Sequence, residues 1–209
     1  MIDRIQWLGH STFRLQGPPL IYIDPWRVAR SAFLADVILI SRVDYDHCSP
    51  ADVNKLCGPD TQVIAGDEAA KCLDGDVRVL RPWQSITIDR ARITAVPDGG
   101  LSGNSLTGRF RDLSYLISMD YYDIYYAAST AVTPEMAHFH PDIAILPVGG
   151  GHNGLAGIEE AVEAARILQP RWVIPSHWGT SEGASYLDVR AFQSAVGDLA
   201  EVVLLEQVR

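Results

Sequence analysis

Ser41-Arg42-Val43-Asp44-Tyr45-Asp46-His47-Cys48-Ser49-Pro50 follows the apolar run Asp36-Val37-Ile38-Leu39-Ile40, and its reading decides the fold. The apolar run predicts a buried strand, and Ser49 followed by Pro50 predicts a helix N-cap with proline in the first turn. Between them the polar loop carries carboxylates, an imidazole and a guanidinium. Loops of this kind, at strand ends, are where α/β proteins gather catalytic groups.

Working outward, the N-terminal part is strand-rich, with short apolar runs at 5–8, 11–15 and 20–23 separated by Gly and Pro signals. From Ser49 to Leu80 the pattern becomes helix, strand (62–65), helix, strand (77–80). A second strand-rich stretch covers 85–88, 92–96, 113–118 and 123–127. The remainder alternates again: strand 143–146, helix from about Gly157 to Leu168, strand 172–174, helix near Leu187 to Val196, strand 202–205. Ile158, Ala161, Val162 and Ala165 recur near helical spacing, with Glu159, Glu160 and Glu163 among the polar positions. Two successive rounds of strands then βα units imply an α/β fold of two face-to-face sheets with helices outside. No linker or low-complexity tract divides the sequence, so residues 1–209 are expected to form one domain.

Composition narrows the function. The 209 residues, 47% hydrophobic and 21% charged, suffice for a substantial core. No apolar run approaches the roughly 18 residues a membrane span needs, and Met1-Ile2-Asp3-Arg4 lacks a signal-peptide design. Cys48, Cys57 and Cys72 form no C-x-x-C pair and read as free thiols of a cytoplasmic protein. A net charge of -9 argues against nucleic acid, whose phosphates call for clustered Lys and Arg. The one basic cluster, Arg109-Phe110-Arg111, runs straight into Asp112 and reads as a solvated loop.

The loop resembles the metal-binding loop of the metallo-β-lactamase superfamily, His-x-His-x-Asp-His. Arg42 and Asp44 stand where the first two histidines would be, while Asp46 and His47 are in place. Trp7-Leu8-Gly9-His10-Ser11, Ile23-Asp24-Pro25-Trp26 and Asp46-His47-Cys48-Ser49-Pro50 resemble the branch that contains ascorbate-6-phosphate lactonase. Pro134-Glu135-Met136, Leu146-Pro147-Val148-Gly149-Gly150 and Ile174-Pro175-Ser176-His177-Trp178-Gly179-Thr180 follow in the same order, so the resemblance spans most of the chain. It implies an αβ/βα four-layer sandwich. It also implies a two-metal site, from which this chain departs: Ser129 falls where a bridging aspartate is expected, and the segment from Pro97 to Asn104 lacks the middle histidine. Asp46, His47 and His177 remain as the metal set.

The substitutions have a physical logic. A guanidinium stays protonated and has no lone pair to give a metal, but it can donate to Asp44 or Asp46. Arg42 would then supply locally some of the charge that a metal supplies elsewhere, and serine at 129 removes one anion that called for it. Asp44 works the other way, by adding one. A two-metal hydrolytic mechanism is therefore disfavoured. Asp46, His47 and His177 suffice for one divalent ion (Zn, Fe or Mn), with Asp44 as a candidate fourth ligand, but remnants bonded to one another are equally compatible with no ion. In the one-metal reading Asp46 or Asp44 acts as general base and Arg42 stabilises a developing oxyanion.

Further candidates carry plainer alternatives. His10 and Asp24 sit at strand ends and belong near the site, Asp24 either orienting a neighbouring loop or bonding its own turn. His152, in a Gly-rich loop, and Asp98 are candidate replacements for missing ligands; a solvated loop suits His152 better. His138 and His140 read as a surface turn, Tyr121, Tyr122, Tyr125 and Tyr126 as sheet packing, and Cys48 as a core residue at the helix start. The expectation is a divergent hydrolase acting on a small ester, lactone or phosphorylated metabolite with at most one metal ion. It needs no nucleic acid or membrane, and self-association into a homo-oligomer stays open. The alternative is a non-catalytic, metal-free descendant that binds a small molecule or a protein partner.

Overall fold

Period-two alternation along the strands builds the layers. Ile21, Ile23, Val37 and Leu39 pack into one buried cluster, whereas the intervening Tyr22, Ile38 and Ile40 pack into another. The structure, a computed structural model, describes residues 1–29, 33–98, 112–149, 155–179 and 183–208.

One sheet contains β1 (Ile5–Gly9), β2 (Thr12–Leu15), β3 (Ile21–Ile23), β4 (Val37–Ile40), β5 (Gln62–Ala65) and β6 (Val77–Val79) in sequential order. It begins with antiparallel pairs and becomes parallel from β3 onward. The other contains β7 (Ser85–Ile88), β8 (Ala91–Pro97), β9 (Leu113–Met119), β10 (Tyr122–Tyr126), β11 (Ile143–Pro147), β12 (Trp172–Ser176) and β13 (Glu201–Val202). This sheet too is antiparallel first and parallel from β10 to β13.

The sheets face each other across a core that includes Phe13, Ile23 and Leu39 from one and Ile117, Tyr126 and Ile145 from the other. The outer face of the first sheet is covered by α1 (Pro50–Leu56) and α2 (Asp67–Ala70), through Val53, Leu56 and Ala69. The outer face of the second is covered by α3 (Leu155–Leu168) and α4 (Tyr186–Val196), through Ala161, Ala165, Val189 and Phe192. Helix, sheet, sheet, helix is the expected four-layer α/β sandwich.

Most element expectations hold to within two residues, α1 with its Ser49 cap on the Asp52 amide among them. The strand expected at 202–205 is corrected to Glu201–Val202. After one further bond from Val203 N–H to the Val173 carbonyl, the chain leaves the second sheet and crosses to the first. There Gln207 bridges Trp7, and Val208 N–H bonds the Trp7 carbonyl at 2.9 Å. The start of α4 has a capping box between Ser185 and Asp188 that the sequence reading did not use. The carboxyl ends of parallel strands β3, β4 and β12, with the β1–β2 turn, carry the side chains of the site.

Candidate metal centre

Asp24 is the anchor. It follows β3 with a left-handed backbone (φ 45°) and is completely buried. Its carboxylate accepts from the Ser41 backbone N–H at 2.7 Å, the Ser41 hydroxyl, the Tyr126 hydroxyl at 2.6 Å and His47 Nδ1 at 2.6 Å. A buried carboxylate persists when donors surround it, and these come from both sheets. Acting as acceptor, Asp24 fixes the proton of His47 on Nδ1, so Nε2 presents its lone pair away from the aspartate. Asp24 thus orients the neighbouring loop rather than its own turn.

That Nε2 faces Nε2 of His177 at 3.0 Å. His177 turns inward at the end of β12 with φ 59°, and His10 turns inward after Gly9 with φ 50°. Two further bonds hold this arrangement: His177 N–H donates to the His10 carbonyl at 3.0 Å, and the indole N–H of Trp7 donates to the same oxygen at 3.0 Å. His10 Nε2 lies 2.9 Å from Asp46 Oδ2, and the Ser11 hydroxyl donates to the Asp46 carbonyl at 2.7 Å. Ligand atoms of His10, Asp46 and His177 all lie within 4.8 Å of one another. Left-handed backbone at three non-glycine residues is strain of the kind that accumulates at functional sites.

The electrostatics favour a cation here. Burial, reinforced by His47 and His10, holds the His177 pKa well below the ordinary imidazole range, so the ring stays neutral. Burial pulls the Asp46 carboxyl upward, but the His10 hydrogen bond and the nearby His47 ring outweigh it and leave the pKa far below the usual carboxylate range. Two imidazole nitrogens 3.0 Å apart have either a shared hydrogen or an ion between them. That spacing also suits two ligands of one ion, since zinc–nitrogen bonds of about 2.1 Å put cis or tetrahedral donors roughly 3.0–3.4 Å apart. The donor chemistry therefore fits a divalent metal.

Arg42 and Asp44 lie apart from this cluster. Nε and Nη2 of Arg42 both reach Oδ2 of Asp44 at 2.6 Å, and Nη1 donates to the Ala128 carbonyl at 3.4 Å. Asp44 is 48% exposed and turned to Arg42; the metal-capable group among the described residues is His10, Asp46 and His177, which includes neither Asp44 nor His47. Asp46 pairs with His10, so of the two carboxylates open to Arg42, Asp44 takes it. Burial pulls the Arg42 pKa down, but Asp44, Asp112 and Asp98 outweigh it and raise the value. Asp98 and Asp112 are buried beside it. Asp98 Oδ1 accepts from the Ser129 hydroxyl at 3.0 Å and the Ser114 hydroxyl at 3.3 Å. Burial, with Asp98 and Asp44, raises the Asp112 carboxyl pKa despite Arg42.

Cys48 is buried against the Ala69 carbonyl, its thiol pKa pushed up to about 12 by burial, and all three cysteines are free. His140 Nδ1 lies 3.2 Å from the Leu168 carbonyl, and His138 is exposed on a short 3-10 turn. Tyr125 packs as expected, but Tyr126 does more, because its hydroxyl reaches Asp24 and the Ser11 carbonyl across the core. His152 and the segment from Gly99 to Arg111 lie outside the described residues. The sequence placed His10 only near the site; its signal was Gly9-His10-Ser11 at a strand end. Nothing in the linear pattern marked Tyr126. Among the described residues, no helix is long and apolar enough to cross a membrane.

The family model described as the beta-lactamase superfamily domain matches residues 4–177. A protein of Thermococcus kodakarensis named UPF0173 metal-dependent hydrolase is 30% identical over 220 residues, covering 97% of this chain and 96% of that one. A protein of the same description from Methanoculleus marisnigri is 31% identical over 197 residues, or 85% of this chain and 81% of that one. The crystal structure of a Parabacteroides distasonis protein considered a metal-dependent hydrolase has a TM-score of 0.82 at 26% identity, covering 98% of this chain and 93% of that one. A metallo hydrolase from Ignicoccus hospitalis shares the fold with a TM-score of 0.76 at 22% identity, over 98% and 95% of the two chains. Sandwich, loop order and family match agree, and the chain belongs to the metallo-β-lactamase superfamily.

Proposed function

We propose that this chain is a metal-dependent hydrolase that works with one divalent ion (Zn, Fe or Mn). Asp46, His47 and His177 would hold the ion, with His10 joining them through its contact with Asp46. The observation that carries this reading is the 3.0 Å approach of His47 and His177, one ring oriented by Asp24 and the other kept neutral by burial. Bound there, the ion would act as a Lewis acid and bring the pKa of a bound water toward neutrality.

The protein's own groups have separate tasks. Asp46, held ionised and bonded to His10, would serve as an anionic ligand rather than as the base, because so acidic a carboxyl takes up a proton poorly. Asp44 fixes Arg42, whose remaining N–H groups are available to a developing oxyanion. Asp24 keeps His47 in the tautomer that leaves Nε2 open. The substrate is a small ester, lactone or phosphorylated metabolite. Among the described residues Arg42 and Ser129 stand in place of ligands on the other side, and the Arg42 guanidinium offsets the carboxylates there in place of a second ion.

Metal analysis of protein purified without chelator tests this directly, combined with a His47→Ala variant and a screen of small esters and lactones. About one equivalent in the wild type, lost in the variant together with turnover, is the expected result. Less than about a tenth of an equivalent, with no gain in thermal stability on adding Zn, Fe or Mn, would favour the non-catalytic binding reading.

A further inference from the structure

The site's surroundings are rich in carboxylates, and the Arg42 charge is committed to Asp44. Arg27 is placed differently. Its guanidinium carbon lies 4.0 Å from the centre of the Trp26 ring, and the Trp26 ring sits 5.2 Å from that of His10. Tyr45, 62% exposed and adjacent to Asp46, meets the same indole edge-on at 5.9 Å. A cation, an indole and a phenol therefore extend from the metal-capable cluster to solvent.

The placement of Arg27 is enforced. Its backbone is left-handed (φ 54°), a conformation that costs a non-glycine residue energy. The buried carboxylate of Asp52 holds it there, accepting from Arg27 N–H at 2.9 Å and Val28 N–H at 3.2 Å. Lys55 and Ser49 fix Asp52 in turn, at 2.7 Å each. Stacking occupies the face of a guanidinium and leaves its N–H edge open for bidentate bonds to an oxyanion. Among the described residues no carboxylate pairs with Arg27, and its guanidinium donates no hydrogen bond.

We propose that Arg27, stacked on Trp26 beside His10, is the anchor for an anionic group on the substrate. The ester or lactone hydrolysed at the metal cluster then carries a carboxylate or phosphate away from the bond that is cleaved. The proposal rests on the hydrolase reading for the reaction, but not for the binding.

The test titrates zinc-loaded protein with glutarate, methyl phosphate and neutral glutaramide by calorimetry, following Trp fluorescence in parallel. Wild type, Arg27→Met and Arg27→Lys are compared; methionine keeps the apolar stem over Trp26 and faces the same backbone strain. The wild type is expected to bind one of the anions and to ignore glutaramide, and the tighter anion identifies the group. Arg27→Met should bind that anion at least tenfold more weakly and Arg27→Lys should fall between, with metal content and Tm unchanged. In hydrolysis, Arg27→Met should raise KM for mono-4-nitrophenyl succinate and leave 4-nitrophenyl butyrate unaffected. No anion preference in the wild type, or equal affinity in Arg27→Met, overturns the anchor even if both esters are hydrolysed. Anion binding that depends on Arg27, without hydrolysis of either ester, upholds the anchor and refutes the hydrolase reading.

Discussion

The two halves of the pocket solve the same electrostatic problem in different ways. On one side His10, Asp46 and His177 bring ligand atoms within 4.8 Å of one another, and His47 Nε2 lies 3.0 Å from that of His177. On the other, Arg42 sits against Asp44 with the buried Asp98 and Asp112 nearby, and Ser129 bonds to Asp98. A cluster of carboxylates deprived of a metal needs another source of positive charge, and a guanidinium supplies it permanently. In the proposed reading the first half takes a metal ion and the second carries its own positive charge.

The largest effect that would break this contrast comes from His177, which faces both His10 and His47. His177→Ala should weaken zinc binding by more than about a hundredfold in competition with a chromophoric chelator. Asp24→Asn should act next, through the His47 tautomer, costing about 10–100-fold in affinity, with a fall in Tm from the disturbed buried network. Arg42→Met should leave zinc affinity within about threefold of the wild type, yet lower stability by about 1–2 kcal/mol by chemical denaturation. A loss of metal as large as that in His177→Ala would mean that the two halves are one site.

The smallest effect concerns pH. The Asp112 carboxyl pKa is raised in the fold, so its contribution favours folding at acid pH and is lost as pH rises from the usual carboxylate value through the raised one. Asp112→Asn should therefore raise Tm by a few degrees at pH 7, with the gain vanishing below about pH 4. A gain that persists at low pH would show that the effect does not arise from ionisation.

The layers were legible because strands buried on both faces leave continuous apolar runs, as in Val37-Ile38-Leu39-Ile40, and because Ser49-Pro50 announces a helix. Asp46 and His47 could be read from one loop, and His177 from a second strand end. Tyr126 could not: its hydroxyl crosses the core to Asp24, a contact of 102 residues' separation that alternation along β10 does not reveal. His10 was underweighted for a related reason, since its approach to Asp46 and His177 depends on how two sheets pack. The shortened β13 reflects competition as well, because Gln207 and Val208 satisfy their bonds on β1 instead of continuing along β12.

The most direct test is anomalous diffraction at the zinc edge from crystals grown with zinc. A single peak about 2.1 Å from Nε2 of both His47 and His177, with the Arg42 guanidinium still against Asp44, is the predicted result. A second peak beside Asp98 and Ser129, or no peak between the two histidines, would contradict a pocket that carries one exchangeable cation and one of its own.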